Sequence, residues 1–314
     1  MGRGRAGSGR FPGGGALRLR CAGKAVFVDW FPVSLADIVE HLICPVCGDG
    51  LGLGDRVLRC PRGHAFDIAR QGYVSLLTGS QAPGTADSAA MVAARDSFLG
   101  AGHFAPLVDA VAAACRTGTG AADVRVVMDA GAGTGHYLAG ALDRLPGAAG
   151  IALDVSKNAI RRAARAHPRL GAVVADVWRP LPVRDGAADV ILNVFAPRNG
   201  PEFARVLGPG GSLIVVTPTP RHLRPLVERL GLLSVDEDKE RRVAASLDGR
   251  FAEAERSVHE FEMALDRAAV EAVVGMGPSA WHTDPENMRQ EIAKLPETNY
   301  VTASFRMSIF RRNP

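Results

Sequence analysis

The chain has 314 residues, 47% of them hydrophobic and 22% charged, with 36 Gly and 20 Pro. That length carries one large domain or two smaller ones with real cores, and the composition excludes whole-chain disorder, collagen and a disulfide-stapled miniprotein. The formal charge is +4, yet residues 1–30 hold six basic side chains against Asp29, a net of +5, so the other 284 residues sum to −1 and any nucleic-acid surface must be a local patch.

The chain opens on MGRGRAGSGRFPGGGALRLR, rich in Gly and Arg and without apolar periodicity. Residues 1–38 therefore read as a disordered basic arm, either a contact for RNA phosphates or a dispensable tail. The arm has no secretory apolar core, and no run of about 18 apolar residues occurs further on, so neither a leader nor a membrane span is expected.

Three of the five cysteines cluster as Cys44-Pro-Val-Cys47-Gly and, twelve residues later, Cys60-Pro-Arg-Gly-His64. A C-x2-C pair followed by C-x3-H is zinc-ligand spacing, because thiolates three residues apart can turn onto one metal. Gly48 and Gly63 relax the backbone beside the ligands, and the Gly-rich run 49–55 between them reads as a hairpin. A redox dithiol would sit in a βαβ setting, which is missing around this pair. The expectation is a structural zinc on Cys44, Cys47, Cys60 and His64, in a ribbon over 39–80. Four protein ligands leave no open position for catalysis. Cys21 lacks a partner pattern, and Cys115 reads as a buried small apolar residue.

A helical linker spans 81–120, where Met91 and Phe98, seven apart, share a core-facing stripe. Beyond it strand and helix signals alternate. Strands are read at 124–129, 150–154, 172–175, 188–195 and 212–217, with helices at 136–145 and 156–167. Strand-like alternation at 257–263 and 300–310 flanks a helix near 267–276, and the last strand is taken as a hairpin partner at the sheet edge. The pattern implies an α/β domain over 121–314, a Rossmann-like sheet of about seven strands.

The first strand runs into Asp129-Ala-Gly131-Ala-Gly133-Thr-Gly135, and the second ends at Asp154. Such a loop is shared by several nucleotide cofactors. An acid at its head repels a pyrophosphate but suits the cationic methionine end of S-adenosylmethionine. Asp154 is placed for ribose hydroxyls and Asp176, after the third strand, for the adenine amino group. These features point to a class I S-adenosylmethionine-dependent methyltransferase carrying an N-terminal zinc ribbon.

With both motifs in hand the chain resembles the RlmA family of 23S rRNA guanine-N1 methyltransferases. The resemblance rests on Cys44-Pro-x-Cys47, Cys60-Pro-x-x-His64-x-Phe66-Asp67, Gly72-Tyr73-Val74, Asp87-Ser88-Ala89-x-Met91-x-x-Ala94-Arg95 and Phe98-Leu99-x-x-Gly102-His103. It resumes in Leu153-Asp154-Val155-Ser156-Lys157, Ala196-Pro197 and Thr217-Pro218-x-Pro220-Arg221-His222-Leu223, and covers about residues 41–310. It implies a cytoplasmic, homodimeric enzyme that methylates N1 of a guanine in hairpin 35 of 23S rRNA. Some members, of the tylosin type, confer macrolide resistance. The resemblance also implies cofactor contacts from Phe104, from Tyr137 and Leu138 after the glycine loop, and from His222. The family more often has Tyr at the Phe104 position, so a hydroxyl is lost here. The loop reads Gly-Ala-Gly-Thr-Gly where other members have Gly-Cys-Gly-Glu-Gly.

Guanine N1 carries a proton and sits on the Watson–Crick edge, so methylation needs proton removal and an unpaired base. Asn193 and Phe195, closing the fourth strand, are the candidates to hydrogen-bond and stack that base; both also read as ordinary strand-end residues. Asp176 and His222 are weak candidates for the general base. Arg161, Arg162, Arg165, Arg221 and Arg224 read as solvated faces, whereas Arg95 and Lys157 lie inside the motifs. The main alternative is a methyltransferase acting on a small molecule or protein. A non-catalytic RNA-binding protein and a nicotinamide oxidoreductase fit less well, the first because the acid–glycine–acid set is intact, the second because no hydride-transfer dyad follows.

Overall fold

The computed structural model describes residues 20–21, 24–25, 33–79, 86–117, 123–233, 245–277 and 284–313. Residues 1–31 and 32–314 separate into two compact units. In the first, β1 (Arg20–Cys21) pairs antiparallel with β2 (Lys24–Ala25); the rest of the expected disordered arm lies outside the described residues. Residues 33–38, grouped with the arm on sequence grounds, are folded. They begin with α1 (Val33–Ala36), and Leu35 in it, Ile38 in the turn that follows and Leu42 at a β-bridge to Val183 are fully buried.

The zinc-motif region forms a three-stranded antiparallel sheet of β3 (Gly52–Gly54), β4 (Val57–Arg59) and β5 (Ala65–Asp67). Arg56 turns the first hairpin with φ of +52°. The chain then continues as β6 (Tyr73–Ser75), which leaves the ribbon and pairs in parallel with the large sheet.

That sheet has eight strands rather than seven, and β6 is the addition. The others are β7 (Val126–Ala130), β8 (Ala149–Asp154), β9 (Leu170–Val174), β10 (Ala188–Val194), β11 (Leu207–Pro218), β12 (Phe251–Asp266) and β13 (Thr298–Arg312), ordered β12-β13-β11-β10-β7-β8-β9-β6. The strands from β6 to β11 run parallel, and β13 is antiparallel to both its neighbours. The last strand therefore lies inside the sheet, and β12 takes the edge. The reason is in the side chains: β13 buries Val301, Ala303, Phe305, Met307 and Ile309, whereas β12 alternates exposed Glu and Arg along an open flank.

Two apolar layers pack on opposite faces of the sheet. Val127, Ala152 and Leu192 point into one layer, closed by α2 (Ala89–Gly100), α3 (Ala105–Thr117), α4 (His136–Arg144), α5 (Lys157–Ala163) and the Arg267–Gly275 helix. Met128, Ile151 and Ile191 point into the other, closed by α1, the ribbon and α6 (Gly200–Val206). Side-chain caps start these helices: Ser88 accepts from the Met91 amide, Ser156 from Ala159 and Asp266 from Ala269. Helix α7 (Arg224–Leu230) follows β11.

The seat of α1 on the sheet is tight. A Cβ on Gly171 of β9 would lie 2.3 Å from Ile38 Cδ1 and 2.8 Å from the Ser34 carbonyl oxygen. Gly171→Ala is expected to destabilise the protein by about 1–3 kcal/mol through overpacking. Because Ile38 supplies part of the clash, the Ile38→Ala/Gly171→Ala double variant should be less destabilised than the sum of the two single variants, as measured by urea unfolding. Strict additivity would show that α1 is not seated on Gly171.

Candidate functional site: a metal knuckle and a cofactor cleft

The ribbon gathers its four expected ligands. Cys47 Sγ lies 3.7 Å from Cys60 Sγ, and His64 Nδ1 lies 3.6 Å from Cys44 Sγ and 3.3 Å from Cys60 Sγ. All four donor atoms fall within 4.8 Å of one another. A tetrahedral zinc with Zn–S of about 2.3 Å sets sulfur–sulfur edges of about 3.8 Å, so the donor set and spacing fit that ion. Gly48 and Gly63 take φ of +78° and +88°, which lets each turn fold its flanking ligands inward. Removing the metal with a chelator is expected to raise amide exchange across 42–68 and to lower the melting temperature by several degrees. Unchanged exchange would mean that these thiols hold no structural ion.

The second feature lies beyond the carboxyl ends of β7 to β11, at the point where the strand order reverses between β7 and β10. Open α/β sheets bind ligands in that crevice. Here it is a cleft of about 750 Å³, lined by Phe104, Asp129, Gly131, Gly133, Tyr137, Asp154, Asp176 and His222 among others. Eight of the nine expected cofactor residues thus meet in one place. The ninth, Leu138, does not: its side chain is fully buried in the core, one residue further round α4 than Tyr137.

Main-chain geometry at the loop demands glycine. Gly131 has φ of +88°, and a Cβ there would lie 2.4 Å from the Ala196 Cβ. Gly133 has φ of +55° and donates its N–H to Asp154 Oδ2 at 2.8 Å. Asp154 Oδ1 accepts from the Ser156 N–H at 2.8 Å. Each carboxylate oxygen keeps a second lone pair, which suits a diol donating two O–H bonds.

Asp129 is the most perturbed acid in the cleft. It is 1% exposed, and its Oδ1 has no hydrogen-bond partner. Burial, reinforced by the neighbouring Asp154 charge, pushes its pKa up to about 8. Burial likewise raises that of Asp154, opposed by its two backbone N–H bonds. A buried acid with an orphaned oxygen and a half-buried acid with free lone pairs are what a cationic ligand with a vicinal diol would satisfy. The residues present therefore fit S-adenosylmethionine.

Phe104 is 1% exposed and sits in an aromatic nest, its ring centroid 5.0 Å from those of Phe98 and Phe305 and 6.0 Å from His222. His222 Nδ1 accepts the Ser304 N–H at 3.3 Å, which directs its proton to Nε2 and removes Nδ1 as a base. Asp176 Oδ1 accepts the Trp178 N–H at 3.0 Å. The candidate base-binding pair divides. Phe195 lines the cleft, 42% exposed, on a strained backbone with φ of +56°. Asn193 is fully buried beneath it and spends its amide N–H groups on the Ala130 and Pro197 carbonyls at 3.1 and 2.7 Å. It shapes the turn and does not reach the cleft surface.

Asp87, Met91, Arg95 and Leu99 also line the cleft, a placement the sequence analysis did not give them. Met91, Arg95 and Leu99, spaced by four, form one stripe of α2 facing the cleft, a signal available from sequence, and Asp87 lies just ahead of the helix. Met91 is buried as expected, but against the cofactor cleft as well as the core. Exposed Trp178 at the cleft mouth had no periodic signal. Arg162, Arg221 and Arg224 are engaged by Asp96, Glu260 and Glu228. Cys115 is fully buried, and its thiol is pushed up to about 12.

The folded pKa of Asp129 lies above its ordinary 3.8, so the folded protein binds more protons than the unfolded chain between about pH 4 and 8, and this contribution to stability is lost as pH rises through 8. A cationic ligand stabilises the ionised form. Titration with S-adenosylhomocysteine, which keeps the ammonium group, should release protons and tighten from about pH 6 to 8. Asp129→Asn should flatten that dependence. A pH slope that survives in the variant would assign it to another group.

Two family models match the chain: one described as RlmA, N-terminal, a zinc ribbon, over residues 42–81, and one described as a methyltransferase domain over 127–211. A 23S rRNA (guanine(748)-N1)-methyltransferase of Streptomyces fradiae is 49% identical over 88% of this chain and 99% of its own length. A Micromonospora griseorubida protein, provisionally named as a 23S rRNA (guanine-N1)-methyltransferase, is 54% identical over 88% of this chain and 98% of its own. A Bacillus subtilis protein with the same provisional name is 33% identical over 76% and 86%.

Proposed function

The chain belongs to the family of 23S rRNA (guanine-N1)-methyltransferases, and from that membership we propose how its cleft acts and on which nucleotide. The reaction moves a methyl group from S-adenosylmethionine to N1 of a guanine in 23S rRNA, breaking the sulfur–methyl bond to leave S-adenosylhomocysteine and releasing the N1 proton. The target is the guanine of hairpin 35 that corresponds to position 748, the position in the name of the Streptomyces fradiae relative. The observation that carries this is the near full-length match at 49% identity, with the Cys3His set and the Asp129–glycine–Asp154 set both intact.

S-adenosylmethionine supplies an activated methyl group, so the protein's main task is to place N1 in line with it. Asp154 holds the ribose end of the cleft and Asp129 the methionine end. Phe195 faces the opening between them, with Tyr137 at 6.2 Å and Phe305 at 5.3 Å centroid to centroid. An aromatic ring held there stacks on a guanine drawn out of its helix. The strained backbone of Phe195 aims the ring at the cleft instead of the core. The ribbon, with the exposed Val46 beside its first knuckle, is the module that engages RNA outside the cleft. The working form is a cytoplasmic homodimer, and methylation of this nucleotide confers resistance to macrolides of the tylosin type.

Purified protein incubated with the methyl donor and unmodified 23S rRNA should create one new reverse-transcription stop, in hairpin 35, because an N1-methyl group blocks Watson–Crick pairing. Phe195→Ala should lower methyl transfer by about tenfold to a hundredfold, the loss of one stacking contact, and leave S-adenosylhomocysteine binding within about twofold. A stop elsewhere would reassign the nucleotide. An equal loss of cofactor binding in Phe195→Ala would remove the stacking role.

A further inference from the structure

One loop at the cleft mouth faces two ways. Beyond β9 the chain runs Asp176-Val177-Trp178-Arg179, and both Asp176 and Trp178 line the cleft. The Asp176 side chain is only 10% exposed, whereas Trp178, two residues on, is 64% exposed. The acid is turned towards the space that fits the cofactor, and the indole towards solvent.

The other rings that line the cleft pack against a neighbour. Phe104 and His222 lie against Phe305, and Tyr137 lies against Phe195 and His136. Among the described residues Trp178 shares in no such ring contact. A single exposed apolar side chain is ordinary on a protein surface. This one differs because the main chain that carries it is fixed at the mouth of a ligand cleft.

The bracing of that loop is polar. Asp176 Oδ1 accepts the Trp178 N–H at 3.0 Å, and the Asp176 carbonyl accepts the Arg179 N–H at 3.1 Å. The Asn199 amide donates to the Val177 carbonyl at 2.8 Å, which ties this loop to the one that starts at Phe195. Arg179 donates to the Thr78 carbonyl on the segment that leaves β6. Downstream, the Leu181 N–H donates to Glu202 Oε2 at 2.6 Å, and Arg205 Nη2 donates to the Leu181 carbonyl at 2.9 Å, both partners belonging to α6. The indole thus stands on a braced base, on a loop joined to that of half-exposed Phe195.

Drawing a guanine out of its helix strips a stacking partner from the next base in the strand. An exposed indole replaces that partner, and it accepts any base because each has a π-face. Arg179 is half exposed and, beyond its bond to Thr78 and its pairing with Asp176, keeps N–H donors for a phosphate. An aromatic face next to a guanidinium suits a nucleic-acid strand.

We propose that Trp178 is an RNA-binding residue whose indole stacks on a base flanking the target guanine, while Phe195 takes the guanine itself. This rests on the rRNA reading above and deepens it, since the cleft then has two aromatic platforms, one within and one at its mouth. The outer platform holds the strand from which the guanine has been drawn.

The test uses the full-length, zinc-loaded protein with S-adenosylmethionine and unmodified 23S rRNA. Trp178→Ala should raise KM for the RNA by about fivefold to a hundredfold, the range of one base–aromatic stack, with kcat within about threefold and S-adenosylhomocysteine affinity within about twofold. Trp178→Phe should recover most of the loss, whereas Trp178→Leu, apolar but without a π-face, should not. In a variant whose other tryptophans, Trp30 and Trp281, are replaced by phenylalanine, the RNA should quench the remaining indole emission. An unchanged KM in Trp178→Ala, or a Trp178→Leu variant that matches wild type, would overturn the inference. So would an RNA that is methylated without quenching the indole. A fall in S-adenosylhomocysteine affinity as large as the rise in KM would overturn it too, by setting the indole against the cofactor. Wild type that transfers no methyl group to the RNA would instead sink the guanine-N1 reading beneath it.

Discussion

A carboxylate that the fold buries and leaves half unpaired governs this molecule. Asp129 closes β7 at the centre of the sheet, inside a cleft that also holds Asp154. Burial of an unpaired acid is expensive, and the protein keeps it by raising its pKa until a cation arrives. The rest of the site follows from that constraint. The parallel strands open a crevice where their order reverses, glycines bring the backbone close, and α4 and α2 line it with Tyr137 and Arg95. Asp154, held by the N–H groups of Gly133 and Ser156, keeps its remaining lone pairs for a ligand.

The zinc ribbon is joined to this arrangement by main chain. Residues 42–43 pair with the segment that follows the cleft's Asp176 and Trp178: Leu42 bridges Val183, and the Ile43 N–H donates to the Pro182 carbonyl at 3.1 Å. Arg184 returns the bond by donating its N–H to the His41 carbonyl at 2.9 Å. Its side chain also crowds Gly50. Beyond the ribbon, β6 adds an eighth strand beside β9. The metal knuckle thus reaches the Asp176–Trp178 wall of the cleft in a few residues on one side and the sheet edge on the other. The ribbon is thereby held in fixed register with the cleft.

Much of this was legible in the sequence, for identifiable reasons. Metal spacing is local, so Cys44, Cys47, Cys60 and His64 assemble as read. The acid–glycine–acid pattern spans one βαβ unit, so Asp129 and Asp154 meet as expected. What escaped notice depends on long-range packing. The place of β13 between β11 and β12 follows from burial: β13 buries Val301, Ala303, Phe305, Met307 and Ile309, whereas β12 leaves most of its side chains exposed. Residues Tyr73–Ser75 look too short for a strand until β9 is beside them. Leu138 and Asn193 carry motif positions whose side chains turn away from the cleft, which neighbour spacing does not reveal. The Met91, Arg95 and Leu99 stripe of α2 is visible in the spacing, but its apolar members look the same as core residues.

The central claim is that this cleft methylates N1 of guanine in 23S rRNA. The most direct measurement is to digest the RNA to nucleosides after reaction with an isotope-labelled methyl donor and to identify the labelled nucleoside by mass spectrometry. The account predicts the label in 1-methylguanosine alone, approaching one per 23S rRNA. Label in any other nucleoside, or none in RNA while the protein binds S-adenosylhomocysteine, would contradict it.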